Sequence, residues 1–182
     1  THGLCAEQGL LDLVGFPDFN KPLTGPNQFT GSTGLQIIQS GGPGAYTHTV
    51  KTTGLASGTY TITYHYVNEF VAPSDNIYSV KVFASPNAAI SNGVNNCISS
   101  PVDFIDGSSI PPTPFPTSIS SWVWDFKDGT LGNTQNPSHL YTTPGVYNVG
   151  LKVTTSQGCS DVASLLLRVG NVPMLDFGWA AS

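Results

Sequence analysis

The chain repeats itself. Gly58, Tyr60, Val82 and Pro86 recur as Gly145, Tyr147, Val169 and Pro173, each pair 87 residues apart with no gap. A self-similarity of that period is an internal repeat of domain size. Around these anchors the side chains alternate. Tyr60, Ile62, Tyr64 and Tyr66 share one parity, and Thr59, Thr61, Thr63 and His65 the other. Strict period two over this length predicts a half-buried strand. A second strand follows, with Tyr78, Val80 and Val82 on one face. In the later copy Tyr147, Val149, Leu151 and Val153 face one way, and Ala163, Leu165, Leu167 and Val169 line the next strand.

The strand with the heaviest face runs from Trp122 to Gly129. Trp122, Trp124 and Phe126 share one parity, and Val123 and Asp125 the other. Rings of this size anchor a sandwich core. Asp128-Gly129 supplies residues that tolerate a positive φ in the turn that follows. No stretch carries a convincing helical pattern. Short alternating runs separated by Gly, Pro and Asn predict an all-β chain. In the less regular first 50 residues, Leu10–Val14 and Leu35–Ile38 are expected strands, Phe16–Pro22 a loop and Ser40–Gly44 a turn. The division expected is a sandwich over residues 1–85, a second over 86–170, and a linker with the first strand of a third repeat over 171–182. On that reading the chain is a piece of something longer.

Composition narrows the setting. Only 9% of residues are Asp, Glu, Lys or Arg, against about 25% in an average soluble domain. Ser, Thr and Asn carry the polarity instead, which suits an extracellular surface. The net charge is −5 and the six basic residues are scattered, which argues against a nucleic-acid partner. No apolar run approaches the ~18 residues of a membrane helix. No Asn-x-Ser/Thr glycosylation site occurs, because Asn136-Pro137-Ser138 is excluded by its proline.

Cys5, Cys97 and Cys159 form no Cys-x-x-Cys pair, so a zinc site is not expected. At the repeat offset Cys159 aligns with Ala72. Cys97 and Cys159 are therefore expected to pair within the second repeat, with two reduced buried thiols as the alternative. Closing that loop would stabilise a small domain by about 4 kcal/mol on the chain-entropy model.

Residues 86–169 resemble a PKD domain, an immunoglobulin-like sandwich of bacterial surface proteins. The resemblance lies in Trp124-Asp-Phe-Lys-Asp-Gly129, Asn136-Pro-Ser-His-Leu-Tyr141, Pro144-Gly-Val-Tyr-Asn-Val149 and Pro101-Val-Asp-Phe-Ile-Asp106. Cys97 and Cys159 match a cysteine pair frequent in versions from gliding, Bacteroidetes-type bacteria. Lys127 departs from the family's usual glycine, which excludes any turn reserved for glycine. Residues 1–85 resemble a related Ig-like repeat. The resemblance implies tandem modules of giant adhesins or appendages exported by the type IX route.

Asp106, Asp125 and Asp128 are candidate calcium ligands, since calcium takes six to eight oxygens and some PKD-like domains bind it near such positions. The alternative is that Asp125 and Asp128 cap turns. No other cofactor is expected. His139 has no Gly-x-Ser-x-Gly elbow to serve, and its segment reads as a structural turn. The remaining histidines show no metal-ligand spacing. Tyr60, Tyr64 and Tyr66 could stack on carbohydrate, but their parity with Ile62 favours a core role.

The expectation is a non-catalytic, structural or adhesive segment of a bacterial cell-surface protein. Its expected partners are neighbouring repeats, other copies of itself in a fibre, and an unnamed adhesive target. The alternative is a carbohydrate-binding accessory module of a secreted multidomain hydrolase.

Overall fold

The computed structural model describes residues 2–6, 10–12, 28–31, 34–40, 47–68, 71–92 and 97–171. Fourteen strands and no helix occur among them. The first seven are β1 (His2–Cys5), β2 (Leu10–Asp12), β3 (Gln28–Gly31), β4 (Gln36–Ser40), β5 (Thr47–Lys51), β6 (Gly58–Asn68) and β7 (Val71–Phe83). The others are β8 (Ile90–Asn92), β9 (Pro101–Asp106), β10 (Ile119–Asp125), β11 (Leu131–Gly132), β12 (Ser138–Leu140), β13 (Gly145–Thr155) and β14 (Ser160–Val169).

The chain separates into two compact units. In the first, a four-stranded sheet in the order β1-β7-β6-β3 accompanies a three-stranded sheet β2-β5-β4. Leu4, Val50, Ile62 and Val80 make its core, with Ile37, Tyr60 and Tyr78 packed against them. Both sheets supply side chains, which is the arrangement of a sandwich. Strand β1 pairs with β7 in parallel, Cys5 opposite Phe83.

The second unit has the same plan, with sheets β11-β10-β13-β14 and β12-β9-β8. Val102 and Phe104 from one sheet meet Trp124, Val149, Leu151, Val153, Leu167 and Val169 from the other. Trp124 is fully buried, while Trp122 packs at the margin of the core. The expected aromatic face is therefore the core face.

The repeat is physical as well as textual. Strands β6 and β13 both span 11 residues and begin 87 apart. The Tyr60 hydroxyl donates to the Ala56 carbonyl at 2.8 Å, and the Tyr147 hydroxyl to the Thr143 carbonyl at 2.8 Å. A tyrosine tied to backbone a few residues upstream is the tyrosine corner of Ig-like sandwiches. Ile62, Val80 and Val82 are buried, as are Val149, Leu167 and Val169 at the matching places.

Two segments depart from the expected chain-order division. The first unit comprises residues 1–86 together with 110–118 and 155–160. The proline-rich stretch Ile110–Ser118 forms no regular strand and brings Phe115 edge-on to Phe83, with ring centroids 5.3 Å apart. Gln157 donates from its side chain to the Pro116 carbonyl at 2.9 Å. The expected loop at Phe16–Pro22 and the expected third-repeat strand fall outside the described residues.

The cysteine expectation is corrected. Cys5 is bonded to Cys159, and Cys97 is a free thiol. Strand length explains why Cys97 and Cys159 do not pair. Cys97 bridges Gly170, just past the end of β14, whereas Cys159 immediately precedes its start. Ten residues at ~3.3 Å each put roughly 30 Å between those places, far beyond the reach of a disulfide.

Candidate functional site

The three candidate calcium ligands lie at or just after the ends of strands β9 and β10 in the second unit. Strand β10 ends at Asp125, and a tight turn carries the chain back into β11. Asp125 accepts the Lys127 amide at 3.0 Å and the Lys127 ammonium at 2.6 Å. These bonds accompany an unexpected backbone. Lys127 has φ +63° and Gly129 φ +94°. Lysine thus adopts the left-handed conformation that the sequence reading reserved for glycine, at a cost of about 1–2 kcal/mol. The positive φ predicted for Asp128-Gly129 falls on Lys127 and Gly129.

Asp128 accepts the Thr130 amide at 3.0 Å and the Thr130 hydroxyl at 2.6 Å. Its other oxygen lies 2.6 Å from His139 Nε2. His139 stacks flat on Phe126, with centroids 4.0 Å apart, and meets Tyr141 edge-on at 4.7 Å. Partial burial opposes ionisation of Asp128, but hydrogen bonds from Thr130 and His139 outweigh it and hold the carboxyl below the ordinary value.

Thr130, His139 and Asp128 are the residue types of a nucleophilic triad. Their geometry is different. In a triad the acid binds one imidazole nitrogen and the hydroxyl the other. Here Asp128 lies 2.6 Å and the Thr130 hydroxyl 3.4 Å from the same Nε2, and the hydroxyl already donates to Asp128. No relay runs through this histidine. The cluster ties strand to turn: His139 stands within β12, where the sequence reading expected a turn, and the bends of its segment fall before it, at residues 134–136.

Asp106 sits elsewhere, at the end of β9. It accepts the Ser108 amide at 3.0 Å, the Trp122 indole N–H at 2.7 Å and the Gln135 amide at 3.2 Å. Partial burial works against the charge, and the bonds from Ser108, Trp122 and Gln135 prevail, so this carboxyl also lies below the ordinary value. The structure therefore does not assemble Asp106, Asp125 and Asp128 into a calcium site. Each is engaged in its own turn, and among the described residues no group of three or more His, Cys, Asp or Glu could hold a metal. The turn-capping alternative describes Asp125 and Asp128, and Asp106 caps the turn at Ser108 in the same way.

Below these loops the polar partners are backbone. Tyr141 is buried and donates to the Phe126 carbonyl at 3.1 Å. Burial first, then the nearby Asp128 charge, pushes its phenol well above the ordinary tyrosine range. The Trp124 indole donates to the Thr134 carbonyl at 3.0 Å. The sequence reading missed the Asp106–Trp122 and Asp128–His139 contacts. Both join residues from separate strands and loops, and no spacing signals them.

One shallow depression lies on the four-stranded sheet of this unit, lined by Val123, Asp125, Gly150, Lys152, Val162 and Ala163. Val123 and Val162 are 43% and 69% exposed. At about 210 Å³ it is smaller than a pocket that engulfs a small ligand. In the first unit, Tyr60 packs on the core as expected, and the side chains of Tyr64 and Tyr66 lie outside the described residues.

Residues 84–169, a stretch that contains most of the second unit, match the family model described as PKD domain. A microbial collagenase of Vibrio alginolyticus is 32% identical over 80 residues, covering 44% of this chain and 10% of that protein. Collagenase ColA of Bacillus cereus is 42% identical over 40 residues, covering 22% of this chain and 4% of that protein. The chain thus spans a tenth or less of the length of these curated relatives. Among solved structures, the PKD1 domain of the Vibrio cholerae metalloprotease PrtV is 29% identical and covers 47% of this chain and 98% of that one, with a TM-score of 0.41.

Proposed function

We propose that this chain is a non-catalytic accessory segment of a secreted multidomain hydrolase and that it holds an insoluble extracellular polymer for a catalytic domain elsewhere in the parent. The observation that carries this is the match between the PKD stretch and one tenth of a collagenase. The Cys5–Cys159 disulfide supports an oxidising, extracellular setting. The exposed valines beside Gly150 offer a flat, weakly apolar strip suited to an extended polymer. The test is depletion of the chain from solution by fibrillar collagen and by insoluble polysaccharide, with Val123→Lys/Val162→Lys alongside. Retention on one polymer that the double variant loses supports the proposal. Full recovery in the supernatant from both polymers overturns it.

A second reading has its own observation. Strands β6 and β13 recur at the 87-residue period, as the modules of a stalk would. On this reading the chain is a spacer in a cell-surface adhesin or appendage, partnered by neighbouring repeats or by further copies of itself. The parent's domain content decides: a neighbouring catalytic domain favours the accessory module, and a run of further repeats favours the stalk. Light scattering of this chain separates a self-associating fibre module from a monomer.

A further inference from the structure

Cys97 stands in the second unit where Cys5 stands in the first. Cys5 is paired in parallel with Phe83, and the next amide, Ala6, donates to the Phe83 carbonyl at 3.0 Å. Cys97 is paired in parallel with Gly170, and the next amide, Ile98, donates to the Gly170 carbonyl at 2.9 Å. Phe83 and Gly170 are themselves one repeat apart. The backbone pairing makes the two cysteines equivalent, although at the strict offset Cys5 aligns with Asn92.

Their bonding differs. Cys5 is bonded to Cys159, and Cys97 is a partly exposed free thiol. Cys159 sits in a stiff turn. Gly158 has φ +85°, its amide donates to the Thr155 carbonyl at 2.9 Å, and Thr155 donates to the Cys159 carbonyl at 2.8 Å. The Thr155 hydroxyl also accepts the Cys159 amide at 3.2 Å. A cysteine so placed presents its sulfur at little conformational cost.

We propose that Cys97 is a disulfide site and that its partner is a Gly-Cys turn of the Gly158-Cys159 kind, carried by a further repeat of the same parent polypeptide. The bonded state of Cys5 at the equivalent position is the independent observation that points to such a ligand. The proposal requires only a further repeat, whether the parent is a hydrolase or a stalk. The chemistry is thiol–disulfide exchange with a disulfide oxidant. The Cys97 thiolate attacks the oxidant's disulfide, forms a mixed disulfide and releases one thiolate. The partner thiolate then attacks the Cys97 sulfur and displaces the second. Two protein thiols are oxidised, the oxidant is reduced to two thiols, and the protein's two protons pass to them.

The test is a non-reducing tryptic map of the full-length parent, alkylated with iodoacetamide before digestion. Cys97 lies in the peptide Val82–Lys127. Recovery of that peptide crosslinked to a Gly-Cys peptide of another repeat is expected. Recovery as the alkylated thiol, as a dimer with itself, linked to the Cys159 peptide, or linked outside any repeat overturns the proposal. The variant Cys97→Ser in the same parent is expected to release one new alkylatable thiol per chain, at the partner turn. No new thiol there likewise overturns it.

Discussion

Replacing Cys5 by serine separates the observed bridge from the one that the repeat alone suggested. Cys5 and Cys159 are 154 residues apart in sequence. On the chain-entropy relation, closing a loop of that length stabilises the folded state by about 5 kcal/mol. The dependence is logarithmic. If only the roughly 80 residues of the first unit's continuous stretch unfold, the figure is still about 4.5 kcal/mol. At ~4–8 °C per kcal/mol for a domain of this size, Cys5→Ser should lower the first unit's melting temperature by at least ~15 °C. Cys97→Ser removes a thiol without a bond and should change stability by less than about 0.5 kcal/mol. Calorimetry reads both effects. Trypsin gives an independent check, because Cys5 lies in Thr1–Lys51 and Cys159 in Val153–Arg168. Those two peptides should co-migrate until reduced. A Cys5→Ser protein that melts within ~3 °C of the parent chain, or a crosslink joining Val82–Lys127 to Val153–Arg168, would refute the reasoning.

Tyr60→Phe and Tyr147→Phe each remove an equivalent hydroxyl-to-backbone bond, and each should cost about 1 kcal/mol in urea unfolding. Trp124→Ala empties the centre of the second core and should cost about 3–5 kcal/mol, read from the same transition. Lys127→Gly relieves a left-handed lysine and loses only an exposed ion pair, so it should stabilise the second unit by about 1 kcal/mol. Asp106, Asp125 and Asp128 all have carboxyls below the ordinary 3.8. Depressed carboxyls contribute stability that is present above that value and lost as pH falls through the lower folded values. Tryptophan fluorescence during acid titration should therefore show the second unit weakening below about pH 4, with Asp106→Asn flattening the slope.

Faces and strands were legible because period two is a local property. Tyr147 to Val153 can be assigned to one side of β13 from the sequence without knowing what lies opposite. The repeat was legible for the same reason: its anchors are strand starts and turn residues at fixed spacing. The loop carboxylates were not. Three aspartates near turns looked like one ligand set, yet Asp106 engages Trp122 on another strand and Asp128 engages His139 across a loop. Lys127 shows a similar limit, since a residue type sets the cost of a backbone conformation without forbidding it.

The order of residues by itself determined an all-β chain with two copies of a strand pair and buried aromatic anchors, because alternation and turn chemistry act over a few residues. The tertiary structure decided which cysteines meet. Cys97 and Cys159 belong to the same repeat, but the length of β14 holds them at opposite ends of one strand, whereas Cys5, far away in sequence, lies within bonding distance of Cys159.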